Sequence, residues 1–259
     1  MIKHFLLIKE IFKQNKQIFF LLFFFFILYS LIGGVNHYFF RTYTYDLGVY
    51  NKAIYDYSLL RINENSVMKT HVNNLLSDHF SIYPIILSPF RYIFGTYTLI
   101  IFQNLFILFG ATGIFKLIQY ITKNKNYSLL STFYFLSFWG IFSASVGDFH
   151  TNVVGTMLVP WLFIALFQKN YRNIIFWSVL ILIGKETLSL WLLFIFLGFG
   201  IYKRKEHDYK IISAIGIIVS LSYFLLITHI VMPYISGTNK PYAHIGYYNM
   251  GNSIFEILS

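Results

Sequence analysis

The sequence predicts an all-α, polytopic integral membrane protein. Three observations carry that expectation. Of the 259 residues, 57% are hydrophobic and only 12% are charged, about half the charged share of an ordinary soluble domain. The apolar residues gather into runs close to the length of a bilayer-spanning helix, about 20 residues. The Lys and Arg residues fall in short groups between those runs, as loops on one side of a membrane do. A formal net charge of +10 also suits a nucleic-acid binder, but no basic face or nucleic-acid motif accompanies it, so membrane topology accounts for it better. The chain has no cysteine, which excludes disulfides, thiolate metal sites and cysteine nucleophiles.

Taken in order, the first run is Gln17–Val35, preceded by Lys3, Lys9, Lys13 and Lys16. It is long enough to span, and no small-residue cleavage site follows, so an uncleaved anchor is expected rather than a signal peptide. A polar loop follows from Asn36 to about Ser81. The next stretch, "FSIYPIILSPFRYIFG", is apolar but broken by Pro84 and Pro89 and carries Arg91, which predicts an interfacial or re-entrant segment. Residues 36–96 therefore form one long first extracytoplasmic loop with interfacial helices. Spans are expected at Tyr97–Gln119, Tyr127–Val146 and Asn152–Phe167, the last kinked at Pro160. The run "NIIFWSVLILIGKETLSLWLLFIFLGFGIY" is too long for one helix and holds Gly184-Lys185-Glu186 near its middle. Basic residues flank both of its ends, so a hairpin of two short helices is expected. Ile211–Met232 closes a set of about seven spans, and residues 233–253 form a second external loop. No internal repeat is visible, and residues 1–259 read as a single transmembrane domain.

The charges agree with this layout. The amino terminus and the loops Lys116–Lys125, Gln168–Arg172 and Lys203–Lys210 are basic and fall on one side, the cytoplasm. The opposite loop, Gly147–Thr151, has no Lys or Arg. This places Asp46, Asp56, Asp78-His79, Asp148, His150, Lys185-Glu186 and the Tyr234–Tyr248 loop outside. Carboxylates beside membrane helices are costly to desolvate, so several at one depth suggest a shared aqueous cavity. Such groups serve as general bases or hold a hard cation. Each also has a plainer role. Asp46 precedes a helical pattern of Leu47, Tyr50, Ile54 and Tyr57 and suits an N-cap. Asp78 suits a cap or turn, and Asp148 with Thr151 suits a helix start. Glu186 can pair with Lys185, and Asp56 reads as solvated surface. The D-H and D-F-H spacings are far weaker than a helical zinc signature, which leaves a divalent metal open. The tyrosines at 43, 45, 50, 55 and 57 suit a membrane–water interface, or a platform on which sugar rings stack.

Four stretches, "YDLGVYNKAIYDYS", "DHFSIYPIILSPF", "GDFHTNVVGTMLVPW" and "GKETLSLW", occur in order. In them the chain resembles a family of bacterial and archaeal predicted membrane proteins of unknown function. Members of that family are in turn similar to the GT-C glycosyltransferases, including protein O-mannosyltransferases and the aminoarabinose transferase of lipid A. The resemblance covers essentially the whole chain. It implies a GT-C-like helical bundle in the cell membrane, with the active face extracytoplasmic. It also implies transfer of a sugar from a polyprenyl-phosphate donor to an extracytoplasmic acceptor. The acidic residue just after the first helix of such enzymes matches Asp46, and a second one, from a later external loop, matches Asp148. Asp78, His79, His150, Lys185 and Glu186 match motifs of the uncharacterised family and are taken as substrate-binding. Family members continue through further helices after "YAHIGYYNMGNSIFEIL", so further carboxy-terminal helices are expected.

The implied chemistry is inverting. The acceptor hydroxyl needs a base, for which Asp46 is the candidate. The departing phosphate needs positive charge, for which Lys185, Arg41 and Arg91 are candidates. Two other classes fit the same external acids. A transporter or lipid flippase would use them as a substrate site, and a non-catalytic membrane subunit would use them only to cap helices.

Overall fold

The computed structural model describes residues 15–42, 44–65, 68, 74–146 and 148–237, and every regular element among them is helical. Helix α1, Lys16–Tyr38, has a mean hydropathy of 2.6 over its best window. Its 23 residues rise about 34 Å, enough for a hydrocarbon core of about 30 Å. Phe20, Phe23 and Phe24 on it are more than half exposed, a surface suited to lipid. A π turn, Thr44–Gly48, leads into α2, Val49–Ser58. The short α3, Leu75–Asp78, is capped by Asn74, whose side-chain oxygen accepts from the Leu76 N–H at 2.9 Å.

The proline-broken stretch is a staircase of short helical turns. Helix α4, Tyr83–Leu87, and α5, Arg91–Phe94, alternate with 3-10 turns at Ser88–Phe90 and Gly95–Tyr97. The staircase runs without a gap into α6, Thr98–Thr122. Pro84 and Pro89 both sit in first turns, where a missing N–H costs nothing.

Helix α7, Lys125–Ser137, is capped by Asn124, and α8, Trp139–Val146, meets it at a 47° bend. Next come α9, Thr151–Thr156, and α10, Val159–Phe167. The interruption lies at Met157–Leu158 rather than at Pro160, because Pro160 takes the second position of α10, where its ring is tolerated. Helices α11, Tyr171–Leu182, and α12, Leu188–Tyr202, flank the Gly184-Lys185-Glu186 break. They form a hairpin. Lys169, just before α11, pairs with Glu206 and Asp208, just after α12, at 3.2 and 3.1 Å. Such contact is impossible if two helices of about 18 and 22 Å run end to end. Helix α13, His207–Leu226, continues through a π turn, Ile227–Val231, into α14, Met232–Ser236. Most of the expected 233–253 loop lies outside the described residues.

Three helical stretches are long and apolar enough to cross a membrane, Lys16–Tyr38, Tyr83–Thr122 and His207–Ser236, and the bent α7–α8 pair makes a fourth. The apolar stretches Thr151–Phe167, Tyr171–Leu182 and Leu188–Tyr202 are shorter, so among the described residues three to four stretches qualify as spans by length and composition.

Glycines set the closest helix approaches. A Cβ on Gly216 of α13 would lie 2.3–2.6 Å from the Phe196 ring of α12, so only a bare backbone lets these helices pack face to face. One apolar core joins α10 to α12 through Leu162, Leu166, Leu192 and Phe196. Another lies under α2 and the staircase, around Leu47, Ile54, Leu75, Leu99 and Phe149. That second core positions the polar groups described next.

Candidate functional site

The break between α11 and α12 is the anchor. Glu186 there is completely buried. One carboxylate oxygen accepts from the Phe80 N–H at 2.9 Å, and the other lies 3.2 Å from His79 Nδ1. His79 Nε2 is 3.9 Å from an Asp78 oxygen, so the imidazole lies between two carboxylates. The same contact is braced on either side. The Ile82 N–H donates to the Ile183 carbonyl at 2.9 Å, and the Tyr83 hydroxyl donates to the Leu180 carbonyl at 2.6 Å. The "DHFSIYP" stretch is thereby docked onto the "GKETLSLW" break, although about a hundred residues separate them.

Lys185 and Tyr50 bring in the remaining elements. Burial pushes the Lys185 ammonium below the usual lysine range, opposed by the charges of Glu186, Asp78 and Asp46. Asp46 reaches this centre from the π turn, where it is partly exposed. Tyr50, one turn further along α2, is buried. Burial pushes its phenol well above the usual range, the neighbouring Thr151 hydroxyl pulls it down, and Glu186, Asp78 and Asp46 push it up again. Its ring packs edge-on against Phe149, with centroids 5.2 Å apart.

Phe149 is fully buried and fixes the 148–150 stretch. Gln103 of α6 holds the same stretch with both ends of its amide. Its nitrogen donates to the Asp148 carbonyl at 2.8 Å, and its oxygen accepts from the His150 N–H at 2.8 Å.

The candidate residues separate accordingly. Asp46, Asp78, His79, Lys185 and Glu186 come together. Asp148 borders the cluster through its main chain; the carboxylates acting on Lys185 are Glu186, Asp78 and Asp46. His150 has an exposed side chain and serves as the N-cap residue of α9 through its backbone. Arg41 is exposed and lies over the Phe39 ring at 5.5 Å. Arg91 lies over Tyr55 at 4.4 Å. The capping roles are also reassigned. Asp46 sits inside the π turn, with Gly48 at the N-cap position of α2. Asp78 ends α3, which Asn74 caps. Among the described residues, no three His, Asp or Glu side chains converge as a metal-binding group.

Asp56 is buried, not solvated. The chain after α2 folds back so that Asn63 donates to its carboxylate at 3.0 Å, and Lys52 bonds the other oxygen. Asn63 also accepts from the Leu75 N–H at 3.0 Å, tying α2 to α3. Burial pushes the Asp56 carboxyl up, but bonds from Lys52, Asn63 and the Glu64 backbone more than offset this and hold it below the usual range. A lowered folded-state pKa stabilises above the unfolded value, and that stability is lost as pH falls through the folded value. Asp56→Ala is expected to cost about 1–3 kcal/mol near neutral pH, by orphaning Asn63 and Lys52. The loss should shrink in acid, which thermal melts of both proteins at pH 7 and pH 3.5 would show.

The residues hidden from sequence reasoning are Tyr50, Gln103 and Asn63. Tyr50 resembled an interfacial tyrosine, yet the structure buries it beside the acids. Gln103-Asn104 did carry a signal, since adjacent amides within an apolar span are costly unless they hold something.

A family model described as "Predicted membrane protein (DUF2079)" matches residues 36–259, and no curated protein or solved structure matches the chain. The match takes in the π turn, the staircase, the 148–150 stretch and the hairpin break. The helical fold, the apolar spans and this match together place the chain in the DUF2079 family of membrane proteins.

Proposed function

We propose that the protein transfers a sugar from a polyprenyl-phosphate donor to an extracytoplasmic acceptor with inversion, using Asp46 as general base. The observation that carries this reading is the convergence of Asp46, Asp78 and Glu186 on the half-buried Lys185, from three segments distant in sequence. The topology that goes with it has about seven spans, the basic loops in the cytoplasm and the acidic cluster outside.

In this mechanism Asp46 accepts the proton of the acceptor hydroxyl as the oxygen attacks the anomeric carbon. The bond from that carbon to the phosphate oxygen breaks, and polyprenyl phosphate departs with the electron pair. Lys185 faces the departing phosphate. Glu186 and His79 hold the hairpin break that carries Lys185, and Tyr50 backs the cluster from α2. Asp46 is the best placed base because its carboxylate makes no hydrogen bond among the described residues, whereas Glu186 is committed to Phe80 and His79.

The test is release of polyprenyl phosphate by protein in liposomes given a radiolabelled polyprenyl-phosphate sugar and a hydroxylated acceptor lipid. Wild type should release it, and Lys185→Gln should raise the donor KM at least about tenfold, the scale of one lost charge-assisted contact. Because Lys185 binds phosphate when protonated and its pKa is lowered, donor affinity should fall on the alkaline side at a lower pH than for a free lysine. Absence of release by wild type across a panel of sugar donors would reject the reading.

A further inference from the structure

At the other end of α6, far from the acidic cluster, a cavity of about 560 Å³ opens between α6, α10 and α11. Thirteen residues separate Gln103 from Lys116, a rise of about 20 Å. Lys116, Lys123, Gln119, Gln168, Trp161 and Trp177 line the cavity. Its two halves differ in chemistry. Toward the helix ends lie the lysines and amides. Deeper in, Trp161 stacks on Phe109 with centroids 4.6 Å apart and lies 5.7 Å from Trp177. Phe176 continues this wall beside Trp177, at 4.8 Å, and is exposed. Trp161 is held in place by its indole N–H, which donates to the Phe109 carbonyl at 3.1 Å. Bare Gly113 leaves the space it occupies, since a Cβ there would lie 2.7 Å from the indole nitrogen.

The charge at this end is selective. Lys169 and Lys203 are neutralised by Glu206 and Asp208. Lys116 and Lys123 have no carboxylate partner among the described residues. Lys116 lies over the Trp161 ring at 4.9 Å and Lys123 over Tyr120 at 4.5 Å. A cavity with cations at its polar rim and aromatic rings leading onto an exposed apolar helix face fits an anionic amphiphile. A free phosphate would use only the rim.

We infer that this cavity binds one anionic phospholipid, its phosphate on Lys116 and Lys123 and its acyl chain along Trp161, Trp177 and Phe109. The site is independent of the proposed transfer chemistry.

Native mass spectrometry of the purified full chain in detergent, titrated with phosphatidylglycerol or phosphatidylcholine of matched acyl chains, reads the proposal directly. Wild type should bind one phosphatidylglycerol in preference to phosphatidylcholine. Lys116→Gln with Lys123→Gln should weaken it by about fivefold per lysine, roughly 25-fold in all. Arg204→Gln with Lys205→Gln removes the same charge from the same end and should change it less than about twofold. Gln119→Trp, which fills the cavity and keeps every lysine, should also abolish the preference, and it covers the case in which the double lysine variant fails to fold. Glycerol phosphate at equal concentration should not compete. Equal loss in both charge pairs would show diffuse surface attraction and overturn the site. Competition by glycerol phosphate, or no headgroup preference in wild type, would overturn it as well.

Discussion

Replacing Asp46 by Asn is expected to reduce the proposed sugar transfer by about 10²- to 10⁴-fold, the range for loss of a general base, while donor binding and melting temperature hold. The separation of these readouts follows from the surroundings of Asp46. Its carboxylate takes no hydrogen bond among the described residues, so an isosteric amide breaks nothing that holds the π turn. Its charge does act on Lys185 and Tyr50. Without it, Lys185 loses one of three favourable carboxylates, and the alkaline fall in donor affinity should begin at a still lower pH. A role confined to structure would lower the melting temperature and expression together. Transfer by Asp46→Asn within twofold of wild type would remove Asp46 from the mechanism.

Glu186→Ala is expected to be the most destabilising single substitution at the site, about 1–3 kcal/mol for each buried group left without its partner. The Phe80 N–H and His79 Nδ1 would both lose the acceptor now at 2.9 and 3.2 Å. Lys185 would lose the carboxylate with the largest hold on it. Glu186→Gln keeps an oxygen for Phe80 and should fall between wild type and Ala. The order wild type, Gln, Ala in thermal melts identifies the contact as the cause. An Ala variant that melts within a degree of wild type would show that the neighbouring bonds from Ile82 and Tyr83 alone hold the staircase to the hairpin.

What the sequence made legible was whatever depends on local composition. Apolar runs located the long helices to within a few residues, as in Gln17–Val35 against Lys16–Tyr38. A Gly-Lys-Glu triplet inside thirty apolar residues announced the hairpin, since charge is not left in a helix interior without reason. Non-local pairing was illegible. Nothing in "YNKAIYDYS" tells that Asn63 returns to cover Asp56, or that Tyr50 lies against Phe149. The kink expected at Pro160 shows a related limit. Proline marks both a helix interruption and a helix start, and only the fold shows that α10 begins just before it. The motifs carry Asp46, Asp78, Lys185 and Glu186, which the fold brings to one place. They also carry His150, whose side chain is exposed. Spacing along a chain fixes neighbourhood but not the direction of a side chain.

The α11–α12 hairpin carries charged side chains at its tip and near its two ends, and none between Arg172 and Lys185 or between Glu186 and Lys203. Across a polarised bilayer, each elementary charge displaced through the field changes the energy by about 2.3 kcal/mol per 100 mV. The tip holds one base, Lys185, and one acid, Glu186, so it carries no net formal charge into such a field. The uncharged interior also means that small tilts move almost no charge, and the cluster at the tip keeps its geometry as the potential varies.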